Sequence, residues 1–301
     1  MTTTTAPPSE VPIEGEPPGP APARPDNLLR SPIMVIGLVL IGLLVAMALL
    51  APLVASHHPR VISGRALEEP SGRHWLGTDV PGRDIFAQLL YGARTSLVVA
   101  LLAPALALLG AILIGVLPAL VGGAADLVSN RLVVFLLALP GLPLSVLIAA
   151  LAGNTDVALI LVVAFAGVAP TARILRSQVL ALRQSGFIAA ARGFGGGPFY
   201  VLRRHVLPPL GPILVVAFVY WASVSIGLHA GLAFLGLGDP SGVSWGHMLN
   251  RALAQPSIYF SPMWTWWVLP PGIAITLALL GFSFVGVAME PTFNPRWLRS
   301  S

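Results

Sequence analysis

The residues able to do chemistry in this 301-residue chain are few, and their types restrict what that chemistry is. All 17 basic residues are Arg and none is Lys. A P-loop needs a Lys to reach the β- and γ-phosphates of a nucleotide, and Schiff-base catalysis needs a Lys amine, so both fall away. There is no Cys, which removes disulfides, thiolate nucleophiles and cysteine-held metal clusters. His57-His58 offers imidazole nitrogens to a metal, but adjacent side chains point apart and a solvated loop accounts for the pair. The run from Gly193 to Gly197 is glycine-rich but follows no strand, so it does not read as a phosphate cradle. Gly77-Thr78-Asp79 and Gly82-Arg83-Asp84 place oxygens where they can accept from free backbone N–H groups at a helix start. They read first as turn and cap chemistry for a surface helix over 84–95, forming a lid, and second as substrate contacts.

The elements that must position these residues are membrane spans. Hydrophobic residues make up 55% of the chain and charged ones 10%, against about 25% charged in a soluble domain. Mean hydropathy is +0.83. An integral all-α membrane protein follows. Residues 1–31 form a Pro-rich polar head that reads as a disordered cytoplasmic tail. Six apolar stretches follow, at about 33–54, 97–121, 132–152, 157–172, 210–228 and 268–289. The first is 22 residues without a charge, about 33 Å of helix for a hydrocarbon core of about 30 Å. It lies too far from the N-terminus, and is too long, for a cleaved signal peptide. Pro140 and Pro143 interrupt the third stretch, and the fourth is short enough that its helix should continue past the bilayer. Trp264, Trp266 and Trp267 suit an interfacial aromatic belt.

The Arg residues set orientation. The stretch 171–209 carries six Arg and no acid, which places it in the cytoplasm together with both termini. A formal charge of +5 spread over an apolar chain is a topology signal, not a nucleic-acid surface. None of the six apolar stretches contains Asp, Glu, His or Arg. Ion-coupled transporters and intramembrane hydrolases both rely on such groups at depth. If this chain moves a solute, the energy enters through a partner.

Between the fourth and fifth spans, Phe187-Ile188-Ala189-Ala190-Ala191-Arg192-Gly193-Phe194-Gly195 predicts a slim helix ended by Gly195. Leu207-Pro208 then marks the start of span five. A slim cytoplasmic helix suits a partner's groove.

This stretch resembles the EAA loop of bacterial ABC importer permeases: Glu-Ala-Ala, three residues, Gly, nine residues, an aliphatic position, one residue, Leu-Pro. Ala190, Ala191, Gly195, Leu207 and Pro208 fall on that spacing, while Ala189 replaces the Glu and His205 the aliphatic residue. The segment His74-Trp75-Leu76-Gly77-Thr78-Asp79-Val80-Pro81-Gly82-Arg83-Asp84 resembles the second permease of dipeptide and oligopeptide importers. So do Ala233–Gly238 with Ser244–Leu249, and Trp266-Trp267 before Pro270-Pro271-Gly272.

The resemblance covers roughly 30–296 and implies a type I ABC importer permease fold of six spans over 32–296, with a cytoplasmic tail at 297–301. It implies an ATPase-coupling loop carried by Ala189, Ala190, Ala191, Arg192, Gly195, Leu207 and Pro208. Asp79, Arg83, Asp84, Tyr220, Ser223 and His229 become candidates for a substrate pathway or outer gate. The implied partners are a second permease, two ABC ATPase subunits or one fused ATPase, and an extracytoplasmic substrate-binding protein, all at the bacterial cytoplasmic membrane. ATP and Mg²⁺ would be bound by the ATPases, leaving this chain without cofactor, metal or catalytic residue. Dipeptides or oligopeptides are the implied cargo. Nickel or another small solute is the alternative, and a non-transporting membrane scaffold is the reading from another class.

Overall fold

The computed structural model describes residues 31–153 and 155–293, with side chains described as far as Met289. The predicted tails at 1–31 and 297–301, Ser31 excepted, lie outside the described residues. Among the described residues the chain is helical, with only two isolated bridges, Ile62 to Arg83 and Thr78 to Asp84, of extended pairing. Five helices are long and apolar enough to cross a membrane, and a sixth crossing is made if one bent pair counts as a single span.

Helix α1 (Pro32–Val54) leads by a long connection to α2 (Ile85–Val121). The pair α3 (Gly123–Ala138) and α4 (Gly141–Leu151) is bent by 94°. Helix α5 (Asp156–Arg183) is followed by the short α6 (Gly186–Gly193) and the long α7 (Pro198–Phe234). Helix α8 (Trp245–Leu253) lies in the second long connection, before α9 (Leu269–Phe293). α2 is the hub, packing against α1, α5 and α7, while α9 closes the group against α1 and α7.

Helices run longer than their apolar stretches, and three expectations change. The surface helix expected at 84–95 and the span expected from 97 are one continuous helix, α2, capped by Asp84, whose Oδ1 accepts from the Ala87 N–H at 2.9 Å. Thr95 does not break it, its hydroxyl being spent on the Val243 carbonyl at 2.8 Å. Likewise Leu207-Pro208 opens only the regular α-helical stretch of α7, Leu207–Phe234, while the helix itself begins earlier, at Pro198. The third expected span is two helices, α3 and α4, because Pro140 forces Leu139 into extended backbone (φ −78°, ψ 140°). The fourth helix does continue well past residue 172, to Arg183.

Prolines inside the spans explain two contacts between helices. A helical Pro cannot donate to the carbonyl four residues back, so that oxygen needs another partner. Pro52 leaves the Ala48 carbonyl to Arg94 Nε of α2, at 2.6 Å. Pro118 leaves the Ile114 carbonyl to the Ser129 hydroxyl of α3. A π-helical turn, Ile112–Val116, precedes Pro118, and another, Leu202–Val206, precedes Pro208. Close packing is allowed by small residues. A Cβ at Gly115 would sit 2.6 Å from the Ala172 carbonyl oxygen of α5.

Candidate functional site

Two regions gather the polar residues, one at each end of α2. With 37 residues in that helix, its ends are roughly 55 Å apart.

At the C-terminal end stands α6. Ile188, 1% exposed, buries itself in a core with Leu120, Leu175 and Val206, while Ala189 and Ala190 face outward. The helix stops in a Schellman motif. Gly196 N–H donates to the Ala191 carbonyl at 2.9 Å and Gly195 N–H to that of Arg192 at 3.0 Å. That arrangement needs a left-handed residue, supplied by Gly195 at φ +83°. Phe187, Ala191, Phe194, Gly195, Tyr200 and His205 line an open cleft of 480 Å³. Phe194 is 92% exposed and Phe199 73%. The His205 ring lies 5.5 Å edge-on from Tyr200 and 6.2 Å from Phe187, so it serves as an aromatic wall where the motif has an aliphatic residue. Leu207 is half-buried and Pro208 exposed.

Arg192 also reaches inward, donating through Nη2 to the Leu120 carbonyl at 2.7 Å. Arg183 donates to that of Ala119 at 2.6 Å. Both acceptors belong to the last turn of α2, whose carbonyls have no partner within the helix and carry the negative end of its dipole. Beside them, Arg176 grips Asp126 of α3 with two bonds, at 2.7 and 2.9 Å. Three of the six Arg in the stretch 171–209 thus clamp helix ends.

At the N-terminal end of α2, the connections 55–84 and 235–268 form a cap. Asp79, 1% exposed, accepts from Arg83 N–H at 2.7 Å and Gln88 Nε2 at 3.0 Å, and its Oδ2 lies 3.2 Å from Arg83 Nε. Gln88 in turn accepts from Arg251 Nη2 of α8 at 3.1 Å. Burial, then the charge of Arg83, lowers the Arg251 pKa from its usual value, with Asp79 opposing. Trp245 is 2% exposed and donates to the Leu89 carbonyl at 2.9 Å. Its indole lies over Gly92, where a Cβ would come within 2.6 Å of it. Burial and Arg251 lower the His247 pKa, outweighing Asp156 and Asp239, which raise it. Hydrogen bonds from the Ser241 hydroxyl and N–H, at 2.7 and 2.8 Å, lower that of Asp239. Gly236 (φ +81°) and Gly238 (φ +95°) make the turn after α7.

Of the residues proposed for a pathway or gate, Asp79, Arg83 and Asp84 come together in the cap. Ser223, Tyr220 and His229 lie along α7 and do not join them. The Ser223 hydroxyl meets the Leu279 carbonyl and the Ser283 hydroxyl, each at 3.1 Å, tying α7 to α9. Tyr220 is 59% exposed and packs edge-on against Trp221. His229 is 3% exposed, its Nε2 enclosed without a partner. Sequence reasoning missed Asp126, Ser129, Arg183, Gln88, Arg251 and Trp245 as structural partners. Only Asp126 carried a signal, as the single acid between residues 85 and 155.

Residues 111–299 match the family described as the binding-protein-dependent transport system inner membrane component, and residues 26–70 match the N-terminal TM domain of oligopeptide transport permease C. The chain belongs to this family of transport permeases and is a multi-pass membrane protein. It is 36% identical over 280 residues, 92% of each chain, to a protein of Brucella suis biovar 1 (strain 1330) that bears the name of a peptide permease. It is 33% identical to the dipeptide transport system permease protein DppC of Alkalihalophilus pseudofirmus, over 90% of this chain and 88% of that one. It is also 33% identical, over 89% of each, to an Escherichia coli (strain K12) protein named for D,D-dipeptide transport.

Proposed function

We propose that this chain is one permease subunit of an ATP-driven importer that carries dipeptides or oligopeptides across the cytoplasmic membrane. Its relatives are named for peptide transport. The observation that supports a coupled mechanism is the direct hold of the α6 segment on α2. A push on the exposed face of α6 passes through Arg192 to the last turn of a helix whose first turn is built into the cap. Helices tied at both ends move as units, so a small displacement at one end biases which of two packings the bundle adopts.

In this reading the loop 187–208 is cytoplasmic and docks into the groove of a separate ATPase subunit, which binds ATP and Mg²⁺. Ala189 and Ala190 contribute a slim surface, Ala191 the edge of the cleft, and Phe194 and Tyr200 aromatic anchors. The ATPases number two, or one fused pair. A second permease completes the pore, and an extracytoplasmic substrate-binding protein delivers cargo to the cap. The chain itself turns over no substrate. Asp79, Arg83 and Asp84 hold the cap in shape, and Ser223 and His229 lie along the wall nearest α9 and α8.

The test is uptake of labelled peptide by the assembled importer in proteoliposomes, alongside ATP hydrolysis. Arg192→Ala should leave ATPase retention intact while uptake per ATP falls. Equal loss of ATPase retention and uptake would place the contact in assembly and overturn transmission through α2. Orientation is read separately with the Cys-free background: Gln184→Cys should label only from the cytoplasm and Gly242→Cys only from outside.

A further inference from the structure

The pair His57-His58 splits on folding. His58 turns towards the Tyr91 ring at 5.8 Å, whereas His57 turns inward to the His74 ring at 4.9 Å. His57 Nδ1 and His74 Nδ1 then face the same oxygen, Asp84 Oδ2, at 3.4 and 2.8 Å. His74 is fully buried and Asp84 is 4% exposed. A ligand atom from each residue lies within 4.8 Å of those from the other two.

One hydrogen bond explains part of this cluster. His74 Nδ1 pairs with Asp84 at good distance. It does not explain His57, whose Nδ1 is enclosed and has no hydrogen-bond partner. If that nitrogen carries a lone pair, it confronts a carboxylate; if it carries a proton, the bond is not made. A cation between the three groups satisfies both rings in the neutral state and the carboxylate together.

The orientation of the ligands also fits. Asp84 Oδ1 is held by the Ala87 N–H at 2.9 Å, which leaves Oδ2 for the cluster. His74 Nε2, also without a hydrogen-bond partner, lies 3.9 Å from Glu68 Oε2. A ligating His whose far N–H donates to a carboxylate has its tautomer fixed and its basicity raised; Glu68 stands one small side-chain shift from that role. Two imidazole nitrogens and one carboxylate oxygen with an open fourth position suit a borderline divalent ion, Zn²⁺ above all. His57, 21% exposed at its side chain, is the route in.

We propose that His57, His74 and Asp84 bind one Zn²⁺-type divalent cation. The ion would pin the end of α1, the middle of the connection and the first turn of α2 to one point. It is a resident staple of the cap, held away from the spans, and stabilises the fold by mass action.

The full-length chain, purified in detergent with a tag free of histidine, is stripped with chelator and titrated with Zn²⁺. One Zn²⁺ per chain is expected, with a rise in melting temperature. Co²⁺ in its place should show the visible absorption of a four-coordinate nitrogen and oxygen site. His57→Ala, at a partly exposed position that should tolerate it, must abolish binding. Glu68→Gln should weaken binding by about tenfold, and His58→Ala should leave it unchanged. Asp84→Asn, which keeps an oxygen for the helix cap, must also abolish it. Failure of the folded wild-type chain to retain Zn²⁺, or retention that survives His57→Ala or Asp84→Asn, overturns the proposal.

Discussion

The two ends of α2 are held by opposite means. At the cap end, side chains from two distant connections converge on the first turns of the helix and are buried: Asp79, Asp84, His74 and Trp245, and Gln88 of the helix itself, are each under 5% exposed. At the loop end, two arginines hold backbone carbonyls while the aromatic rings beside them stand in solvent. Buried polar groups that bond to one another resist change because losing any partner strands the rest. Exposed aromatic surface has nothing to lose until a partner covers it. The cap is therefore the end where a mutation should cost stability, and the loop the end where it should cost coupling.

The strongest way to break this contrast is Trp245→Ala. Removing a buried indole and its bond to Leu89 should cost about 3–5 kcal/mol, seen as a large fall in melting temperature and in yield of folded protein. Next comes Ala191→Trp in the cleft. If the cleft is the docking surface proposed above, this overfills it, for which about 1–3 kcal/mol is typical, and should release the ATPases or uncouple hydrolysis from uptake. Its melting temperature as a lone chain should stay near wild type. A lone-chain melt that falls as far as that of Trp245→Ala would erase the distinction between the ends.

Ser129→Ala sharpens the comparison between them. It leaves the Ile114 carbonyl without its donor, a loss of about 1–3 kcal/mol if water cannot replace it, and thermal melting should place it between the other two variants. The smallest expected effect is pH-dependent. The pKa of His247 is lowered on folding, so its contribution to stability is fully present above the ordinary histidine value of about 6.5 and declines as pH falls below it. Melting temperature should drop more steeply below about pH 6.5 in wild type than in His247→Gln. Identical slopes in the two proteins would remove His247 as the cause.

The spans were legible because apolar runs of this length have no other home, but Pro140 read only as an interruption of one span, and the 94° bend it makes was not foreseen. The helix ends were not legible either. α2 carries Arg94 and Thr95 in its interior because their polar groups find partners 46 and 148 residues away in sequence. A hydropathy profile counts both as polar and stops there. For the loop, Gly195 announced the end of α6 through its backbone freedom, and Ala189–Ala191 its slim face. That Arg183 and Arg192 cap α2 was hidden, since a run of Arg reads identically whether it faces water, lipid headgroups or a helix terminus. The cluster at His57 was hidden for a related reason. Adjacent histidines diverge, and only folding shows that one of them meets residues 74 and 84.

The two proline-made contacts, Ala48 with Arg94 and Ile114 with Ser129, also index the helices against one another. Each vacant carbonyl occurs at a single height on its helix and points in a single direction. Sliding α1 along α2 by one residue would turn the matching groove by about 100° and carry the Ala48 oxygen away from the Arg94 guanidinium. The apolar faces alone tolerate such a slip, since one leucine replaces another. The vacancies do not, and they make helix register a discrete choice in a bundle whose hydrophobic surfaces would accept several.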